Sequence, residues 1–209
     1  MKKPGRAPIL NFAEIIYRKL IDPMLDSSHR AAAEMVNSGE RVLDVACGMG
    51  TLAILIGAKA GNVTGVDIDP ASIRSARLLA LESGVGNVSF MEADAIALDV
   101  IRDNEFDVSV ISMALHQFSP ETGVRVLESM KRVSGRIIIV DYAYPVKNGP
   151  YKALTWIIEW IAGGDHYRNF KKYMKQGGLL PLVDQAGLKA VKTVVKGMGT
   201  LTILNCEVL

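Results

Sequence analysis

The stretch ERVLDVACGMGTLA, residues 40–53, decides the fold. An apolar run typical of a buried strand ends in a glycine-rich turn, and a helical pattern begins near Thr51. Gly48 and Gly50 let the backbone approach a ligand with no Cβ in the way. The first N–H groups of the helix favour a carboxylate or phosphate, whereas Asp44 at the head of the turn favours an ammonium group. The turn therefore predicts a site for a ligand with both charges, as an amino acid has.

Four more runs rich in Val and Ile follow, and helical patterns separate them. These runs are residues 62–67, 87–92, 106–112 and 135–141. Asp69 is predicted as a helix N-cap with Pro70 at the first helical position. Ser119 opens a second helix in the same way, and Gly135 is expected to close it. Apolar strands separated by helices predict a parallel sheet with helices on both faces.

The last part of the chain breaks this alternation. Two strand-like runs in residues 188–209 are joined only by Gly197-Met198-Gly199, which is too short for a crossover helix. The two strands must therefore be antiparallel. The predicted fold class is α/β: a Rossmann-like three-layer sandwich whose seven-stranded, mostly parallel sheet ends in a C-terminal antiparallel hairpin.

The length of 209 residues suits one domain. Within it the sequence predicts an N-terminal helical cover (1–39), a cofactor-binding core (40–141), a helical insert on the substrate side (145–177) and the terminal hairpin (188–209). Net charge is +2 and the basic residues are dispersed, which argues against a nucleic-acid partner. Two distant cysteines, Cys47 and Cys206, give no disulfide framework and no metal-ligand spacing, so no metal is expected.

No signal peptide or transmembrane stretch is recognisable in the sequence. The longest apolar run, around residues 153–164, is short and contains Glu159. The protein is accordingly expected to be cytoplasmic. Peripheral contact with a membrane and the oligomeric state are left open.

Two further acids follow later strands. Asp67 ends the second strand, where a carboxylate commonly receives both hydroxyls of a ribose. Asp94 follows the third strand and is placed to accept from an adenine amino group. An amino acid, a ribose and an adenine together describe S-adenosylmethionine.

With these motifs, residues 40–141 resemble the class I S-adenosylmethionine-dependent methyltransferases, in the group that includes the ubiquinone/menaquinone C-methyltransferases. The terminal hairpin fits the seven-stranded sheet of that family. The resemblance implies that Asp44, Gly48 and Gly50 hold the amino-acid part of the cofactor, Asp67 the ribose and Asp94 the adenine. The expected cofactor site also includes Ala46, Cys47, Ile68, Ala95, Ser112 and Tyr17. Ala46 stands where many relatives carry a glycine, which we expect to be a mild change.

Other functions fit parts of the pattern. Residues 48–53 match the dinucleotide signature G-x-G-x-x-A, with Asp67 as its ribose acid, so an NAD(P)-dependent oxidoreductase is the main alternative. A non-catalytic S-adenosylmethionine-binding subunit is another. Asp44, Asp94 and the hairpin favour the methyltransferase.

The methyl acceptor is expected beyond the carboxyl ends of strands four and five. His116 is a candidate base there or a packing residue. His166 and Tyr167 are further catalytic candidates, because they follow a possible hinge at Gly163-Gly164. Apolar side chains of the insert suit a roof over an oily substrate, although Trp156, Ile157 and Trp160 are expected to pack on the sheet. The predicted reaction is in-line methyl transfer to a small apolar or quinone-like acceptor, with the methylated atom left open.

Overall fold

The predicted alternation of strands and helices is present in a computed structural model of the chain, which describes residues 22–147 and 149–208. Tyr17 and most of the predicted N-terminal cover lie outside the described residues. The strands are β1 (Arg41–Val45), β2 (Asn62–Asp67), β3 (Val88–Glu92), β4 (Val108–Ser112), β5 (Arg136–Tyr142), β6 (Leu188–Lys196) and β7 (Leu201–Val208). The helices are α1 (Asp22–Glu34), α2 (Thr51–Gly57), α3 (Pro70–Ser83), α4 (Pro120–Val133), α5 (Pro150–Ala162), α6 (Gly164–Gln176) and α7 (Leu179–Gln185).

The seven strands of the described residues form one sheet in the order β3-β2-β1-β4-β5-β7-β6. Strands β1 to β5 pair in parallel, and β7 runs antiparallel to both β5 and β6. The chain reverses between β6 and β7 in a short turn, Gly197–Gly199, as its length requires. The predicted mixed sheet with a terminal hairpin is thus confirmed. Strand order reverses between β1 and β4, and in open α/β sheets ligands bind at such a switch point.

Alternating side chains of each buried strand supply two cores, one on each face of the sheet. In β5, Ile137 and Ile139 face the cluster formed with α4, α6 and α7. Ile138 and Val140 face the opposite cluster, which α1, α2 and α3 cover. All four side chains are buried. Burial on both faces explains why β5 reads as a continuous apolar run rather than an alternating one.

The helix starts agree with their capping signals. The Asp69 carboxylate accepts hydrogen bonds from the N–H groups of Ala71 and Ser72, both at 3.0 Å. One prediction about an end was wrong, because α4 stops at Val133 and Gly135 does not close it. Ser134 ends the helix in an extended conformation, and its buried hydroxyl donates to the Met130 carbonyl. The chain therefore enters β5 directly, without a left-handed glycine.

The predicted insert is a pair of helices, α5 and α6, that meet at Gly163 and Gly164, both with positive φ. The prediction that Trp156, Ile157 and Trp160 pack together on the sheet is wrong for two of them. Trp156 packs on Phe170 of α6, but Ile157 and Trp160 are 52% and 67% exposed. Helix α5 packs on α6 rather than on a sheet face, so one side of it stays uncovered. Among the described residues, no helix is both long and apolar enough to cross a bilayer.

Candidate active site

A cavity of about 850 Å³ opens at the carboxyl edge of the sheet, beside the switch point between β1 and β4. Its walls come from the turns after β1, β2 and β4, from α1 and α5, and from the hairpin turn, which contributes Gly197 and Met198. A second cavity of about 150 Å³ shares Ala46, Asp67, Ile68 and Phe118 with the first. The volume of the large cavity lies in the range that holds a cofactor or a drug-sized ligand.

Asp44 is the buried acid at one end of the large cavity. Its side chain is 1% exposed, and its Oδ2 atom has no hydrogen-bond partner in the described part of the chain. Burial, with the nearby Asp67 carboxylate, raises the pKa of Asp44 to about 8, although a hydrogen bond with the Ala53 backbone lowers it. An unpaired buried carboxyl oxygen costs free energy unless a ligand satisfies it. An ammonium group is the ligand that would do so best, since it also offsets the charge.

The glycine turn has the backbone that its sequence requires. Gly48 and Gly50 lie at φ values of 53° and 79°, in the left-handed region. A Cβ on Gly50 would lie 2.5 Å from the Phe90 ring, so this glycine is also needed for packing. A Cβ on Gly48 would meet nothing within 4 Å. Gly48 therefore leaves open space at the cavity wall that any side chain would occupy.

Ala46 shares this left-handed conformation, with φ 53°. A residue with a Cβ in this region is strained by about 1–2 kcal/mol, so the change from glycine, which we expect to be mild, carries this cost. Met113, after β4, has φ 54°. Both residues line the large cavity. Each of the two strands that form the switch point is therefore followed by a residue with a left-handed backbone.

The second cavity holds the residues predicted to receive adenine. Asp94, Ala95 and Ile68 line it together with Phe118. The Asp94 carboxylate accepts from the Ile96 N–H at 2.9 Å, which fixes its orientation. Apolar walls with two acids, Asp67 and Asp94, suit a flat heterocycle with an amino group.

The other predicted cofactor residues lie around the large cavity. The Cys47 thiol lines its wall, and burial followed by the charges of Asp44 and Asp67 raises its pKa, so it stays protonated. Ser112 lies 3.0 Å from His29 Nε2 of α1. Burial lowers the pKa of His29 to about 4, so this histidine is neutral at physiological pH.

At the far side of the large cavity lies a buried polar cluster, which we define as His116, Asp141, Tyr142, Glu159 and His166. His116 Nδ1 lies 2.6 Å from Asp141 Oδ1. The Tyr142 hydroxyl donates to Glu159 Oε1 at 2.7 Å, and His166 Nε2 lies 2.6 Å from Glu159 Oε2. All except His166 are at most 6% exposed. Among apolar surroundings, such a cluster can bind a polar atom of a ligand.

Burial and charge act in opposite directions on the members of the polar cluster. Burial lowers the pKa of His116, but the Asp141 and Glu159 carboxylates raise it by more, and the net shift is upward. Burial raises the pKa of Glu159, but His166, His116 and Tyr142 together lower it below its usual range. Both pKa shifts favour an ionised Glu159 carboxylate beside a protonated His116.

The structure brings together two of the three predicted catalytic residues, His116 and His166. Tyr167 does not line the cavity: its ring packs against Trp156, and Lys171 Nζ lies 4.8 Å from its centroid. Asp141, Tyr142 and Glu159 are not among the site residues predicted from the sequence. A carboxylate inside the otherwise apolar α5 was the available signal for Glu159. In the sequence, Asp141 is a polar residue at the end of a strand, and its pairing with His116 is visible only in the fold.

Comparisons with known proteins agree with this geometry. A family model described as a methyltransferase domain matches residues 42–135. The ubiquinone biosynthesis O-methyltransferase of Pseudomonas fluorescens strain Pf0-1 is 30% identical over 171 residues, which cover 78% of this chain and 70% of that protein. The protein of the same name from Idiomarina loihiensis is 30% identical over 159 residues. That match covers 73% of this chain and 63% of the relative, so the chain spans somewhat less than two thirds of that relative's length.

A solved structure shares the fold over almost the whole chain. The magnesium protoporphyrin IX methyltransferase of Synechocystis PCC 6803, with bound S-adenosylhomocysteine, superposes with a TM-score of 0.63 at 22% identity. The match covers 99% of this chain and 90% of that one. The sequence comparisons favour a methyltransferase over the dinucleotide-dependent alternative, and the structural comparison shows the same fold.

Proposed function

Because the chain belongs to the class I S-adenosylmethionine-dependent methyltransferases, we propose that it transfers the methyl group of S-adenosylmethionine to a hydroxyl of a small, apolar, phenol- or quinol-like acceptor. The observation that carries the choice of acceptor is the polar cluster at the far side of the large cavity. The names of the curated relatives, which are ubiquinone biosynthesis O-methyltransferases, support an acceptor of the same kind.

The residues at the carboxyl edge fit the cofactor. Asp44 Oδ2 is buried without a partner, as a receptor for an ammonium group would be, and Gly48 leaves open space beside it. Asp67 would receive the ribose hydroxyls, and Asp94 with Ala95 would hold the adenine in the second cavity. Ala46, Cys47, Ile68 and Ser112 complete this part of the wall. These assignments rest on position in the cavities and on the chemistry of each side chain.

The methyl transfer requires only a few contributions from the protein. The bound sulfonium supplies an activated methyl group, so that a new bond to the acceptor oxygen forms as the carbon–sulfur bond breaks and the sulfur keeps the electron pair. The protein must align the acceptor with that methyl group, exclude water and receive one hydroxyl proton. Thr155 and Ile158 of α5 line the cavity beside the polar cluster. We assign alignment and exclusion of water to α5, and handling of the hydroxyl and its proton to the polar cluster.

Calorimetry with S-adenosylmethionine, S-adenosylhomocysteine and NAD tests the cofactor. The two sulfur ligands should bind and NAD should not. Binding of NAD alone would overturn the assignment. The Asp44→Asn variant is the matched control, because it keeps the shape of the side chain and removes its charge.

A panel of catechols, phenols and quinols, assayed with methyl-labelled cofactor, tests the acceptor. Label should appear on oxygen. His116→Ala should abolish turnover and leave cofactor affinity within about twofold, because His116 lies at the acceptor end of the cavity. Cofactor binding without turnover of any acceptor class would instead support a non-catalytic S-adenosylmethionine-binding subunit.

A further inference from the structure

We propose that His116, Glu159 and His166 form a binding site for one divalent transition-metal ion of the zinc or iron(II) class, at the acceptor end of the large cavity. The site is carried by the geometry of the polar cluster and does not depend on the identity of the acceptor.

The distances suit a shared ion. One ligand atom from each of the three side chains can be chosen so that all lie within 4.8 Å of one another, and the widest pair would have to approach by up to about 1.4 Å to share a tetrahedral ion. His116 Nε2 lies 3.6 Å from Glu159 Oε1. Two ligands bound at about 2.1 Å to a tetrahedral ion are separated by roughly 3.4 Å. His166 Nε2 and Glu159 Oε2, now 2.6 Å apart, would move apart by about 0.8 Å to admit the ion.

Two of these atoms form a close ion pair that lacks the geometry of a good hydrogen bond. Glu159 Oε2 and His166 Nε2 are fully buried, and neither makes a hydrogen bond of acceptable geometry within the described residues, although they are close. Buried polar atoms without partners are rare and costly. An ion bound between them would satisfy both at once.

The surroundings of His116 are those of a metal-ligating histidine. An ionised carboxylate only accepts hydrogen bonds, so Asp141 fixes Nδ1 of His116 as a protonated nitrogen. Nε2 of His116 faces Glu159, and a bound ion would take the place of the proton on this nitrogen. Asp141 is itself held by the N–H groups of His116 and Tyr142, at 3.2 and 2.7 Å. A carboxylate behind the histidine and a hydrogen bond from Tyr142 to the ligating Glu159 are the outer contacts that metal sites commonly have.

Charge favours a cation at this place. Asp141 and Glu159 are 0% and 3% exposed, and their ion-pair partners in the described residues are imidazoles. Two buried carboxylates need compensation, and a divalent ion supplies it in full. Two imidazoles and one carboxylate suit zinc, iron or cobalt better than magnesium, which prefers oxygen ligands.

Three protein ligands leave coordination positions open toward the cavity. An acceptor hydroxyl bound there would lose its proton to water more easily, since a bound cation lowers the pKa of an attached oxygen. The resulting oxygen anion would attack the methyl group, and the thioether would leave. This catalytic role rests on the proposed function, whereas binding of the ion does not.

Metal binding is tested on the full chain, freed of metal with a chelator and measured without cofactor or acceptor. Equilibrium dialysis should give one Zn²⁺ per chain and no stoichiometric Mg²⁺. Co²⁺ should produce the visible absorption bands of a four- or five-coordinate site. His166→Ala and Glu159→Gln should each weaken Zn²⁺ binding by at least about 100-fold, since each removes one of three ligands.

His29→Asn is the matched control, because His29 lines the same cavity but hydrogen-bonds Ser112 instead of the polar cluster. It should keep the stoichiometry and affinity of the wild-type protein. Asp141→Asn should lower Zn²⁺ affinity by about 10–100-fold through loss of the orientation of His116. Thermal unfolding with and without Zn²⁺ shows that each variant folds.

Absence of stoichiometric Zn²⁺ and Co²⁺ binding, or wild-type affinity in a folded His166→Ala variant, would overturn the site. Zn²⁺ binding in a protein that methylates nothing would uphold the site and reject the proposed function. Methylation that survives complete removal of the metal would reject the catalytic role of the ion.

Discussion

The carboxylate of Asp67, at the end of β2, accepts a hydrogen bond of 2.8 Å from the N–H group of Gly48, in the turn after β1. Its other oxygen accepts from the Asp69 N–H at 2.9 Å. One side chain thus ties together the two turns that border the large cavity. The acid that the sequence assigns to a ligand also supports the shape of the site.

Asp67→Ala should therefore affect both binding and stability. We expect a loss of about 2–4 kcal/mol in cofactor binding, from charge-assisted bonds to the ribose, and about 1–2 kcal/mol in unfolding free energy. Asp69→Ala should cost about 1 kcal/mol of stability as a lost helix cap and leave affinity almost unchanged. Calorimetry and urea unfolding measure the two quantities. The reverse pattern would mean that Asp69, not Asp67, faces the ligand.

Asp44→Asn should stabilise the free protein while removing cofactor binding. The pKa of Asp44 is raised to about 8, so its stabilising contribution is complete below about pH 4 and is lost as pH rises toward 8. At pH 7 the asparagine variant avoids this cost, and we expect a gain of about 1–4 kcal/mol. Urea unfolding at pH 7 and at pH 4 checks this, because the gain should shrink at the lower pH. Equal gains at both pH values would contradict the assignment.

Binding of S-adenosylmethionine should release a proton from Asp44. The carboxyl is mostly protonated in the free protein at pH 6–7, as its pKa of about 8 requires, and an ammonium group beside it favours the ionised form. Calorimetry in two buffers of different ionisation enthalpy should show up to about one proton released per ligand. In Asp44→Asn any residual binding should show no release, and proton uptake by the wild-type protein would refute the pairing.

Ala46→Gly should stabilise the protein. The left-handed backbone at Ala46 costs about 1–2 kcal/mol, part of which the greater freedom of glycine in the unfolded chain offsets, so a net gain of about 0.5–1 kcal/mol is expected. Ala80→Gly is the control, since Ala80 lies inside α3 and the same replacement there should cost about 1 kcal/mol. Chemical unfolding of both variants gives the sign directly. A loss of stability in Ala46→Gly would show that its methyl group packs usefully.

His29 should make the protein sensitive to acid. Its pKa in the folded state is lowered to about 4, so the unfolded chain takes up a proton first as pH falls below about 6.5. The stability associated with neutral His29 is therefore complete above that pH and lost by up to about 3 kcal/mol as pH falls toward 4. In His29→Gln this part of the pH dependence should disappear. Parallel curves for the two proteins between pH 4 and 6.5 would contradict the prediction.

Much of the fold was predictable from the sequence because local signals and topology agree. Strands β1 and β5 are apolar on both faces, Asp69 and Ser119 cap helices, and the loop between β6 and β7 admits only a hairpin. The prediction for Gly135 failed because the hydroxyl of Ser134, bonded across the chain to Ser109 at 2.7 Å, ends the helix instead. Such a contact between residues distant in sequence leaves no local pattern.

The candidate site likewise contains residues that the sequence predicts and residues that it does not. Asp44, Gly48 and Asp67 belong to one strand–turn–helix pattern and its neighbour, so their spacing identifies them. The polar cluster is assembled from β5, α5, α6 and the turn after β4, and Glu159 reaches His116 only because α5 lies over the end of the sheet. Exposure of Trp160 was unpredictable for a similar reason, since a helical apolar pattern does not say whether both sides of the helix are covered.

The hairpin of β6 and β7 also determines when the ligand cavity can form during folding. Strand β5 lies next to β7, with Ile138 opposite Asn205. The hydrogen bonds on this side of β5 therefore form only after β7 has been synthesised. The turn at Gly197 and Met198 forms part of the cavity wall. A nascent chain cannot close the cavity until the hairpin has emerged from the ribosome and paired with β5. Competence to bind a ligand therefore depends on completion of the sheet.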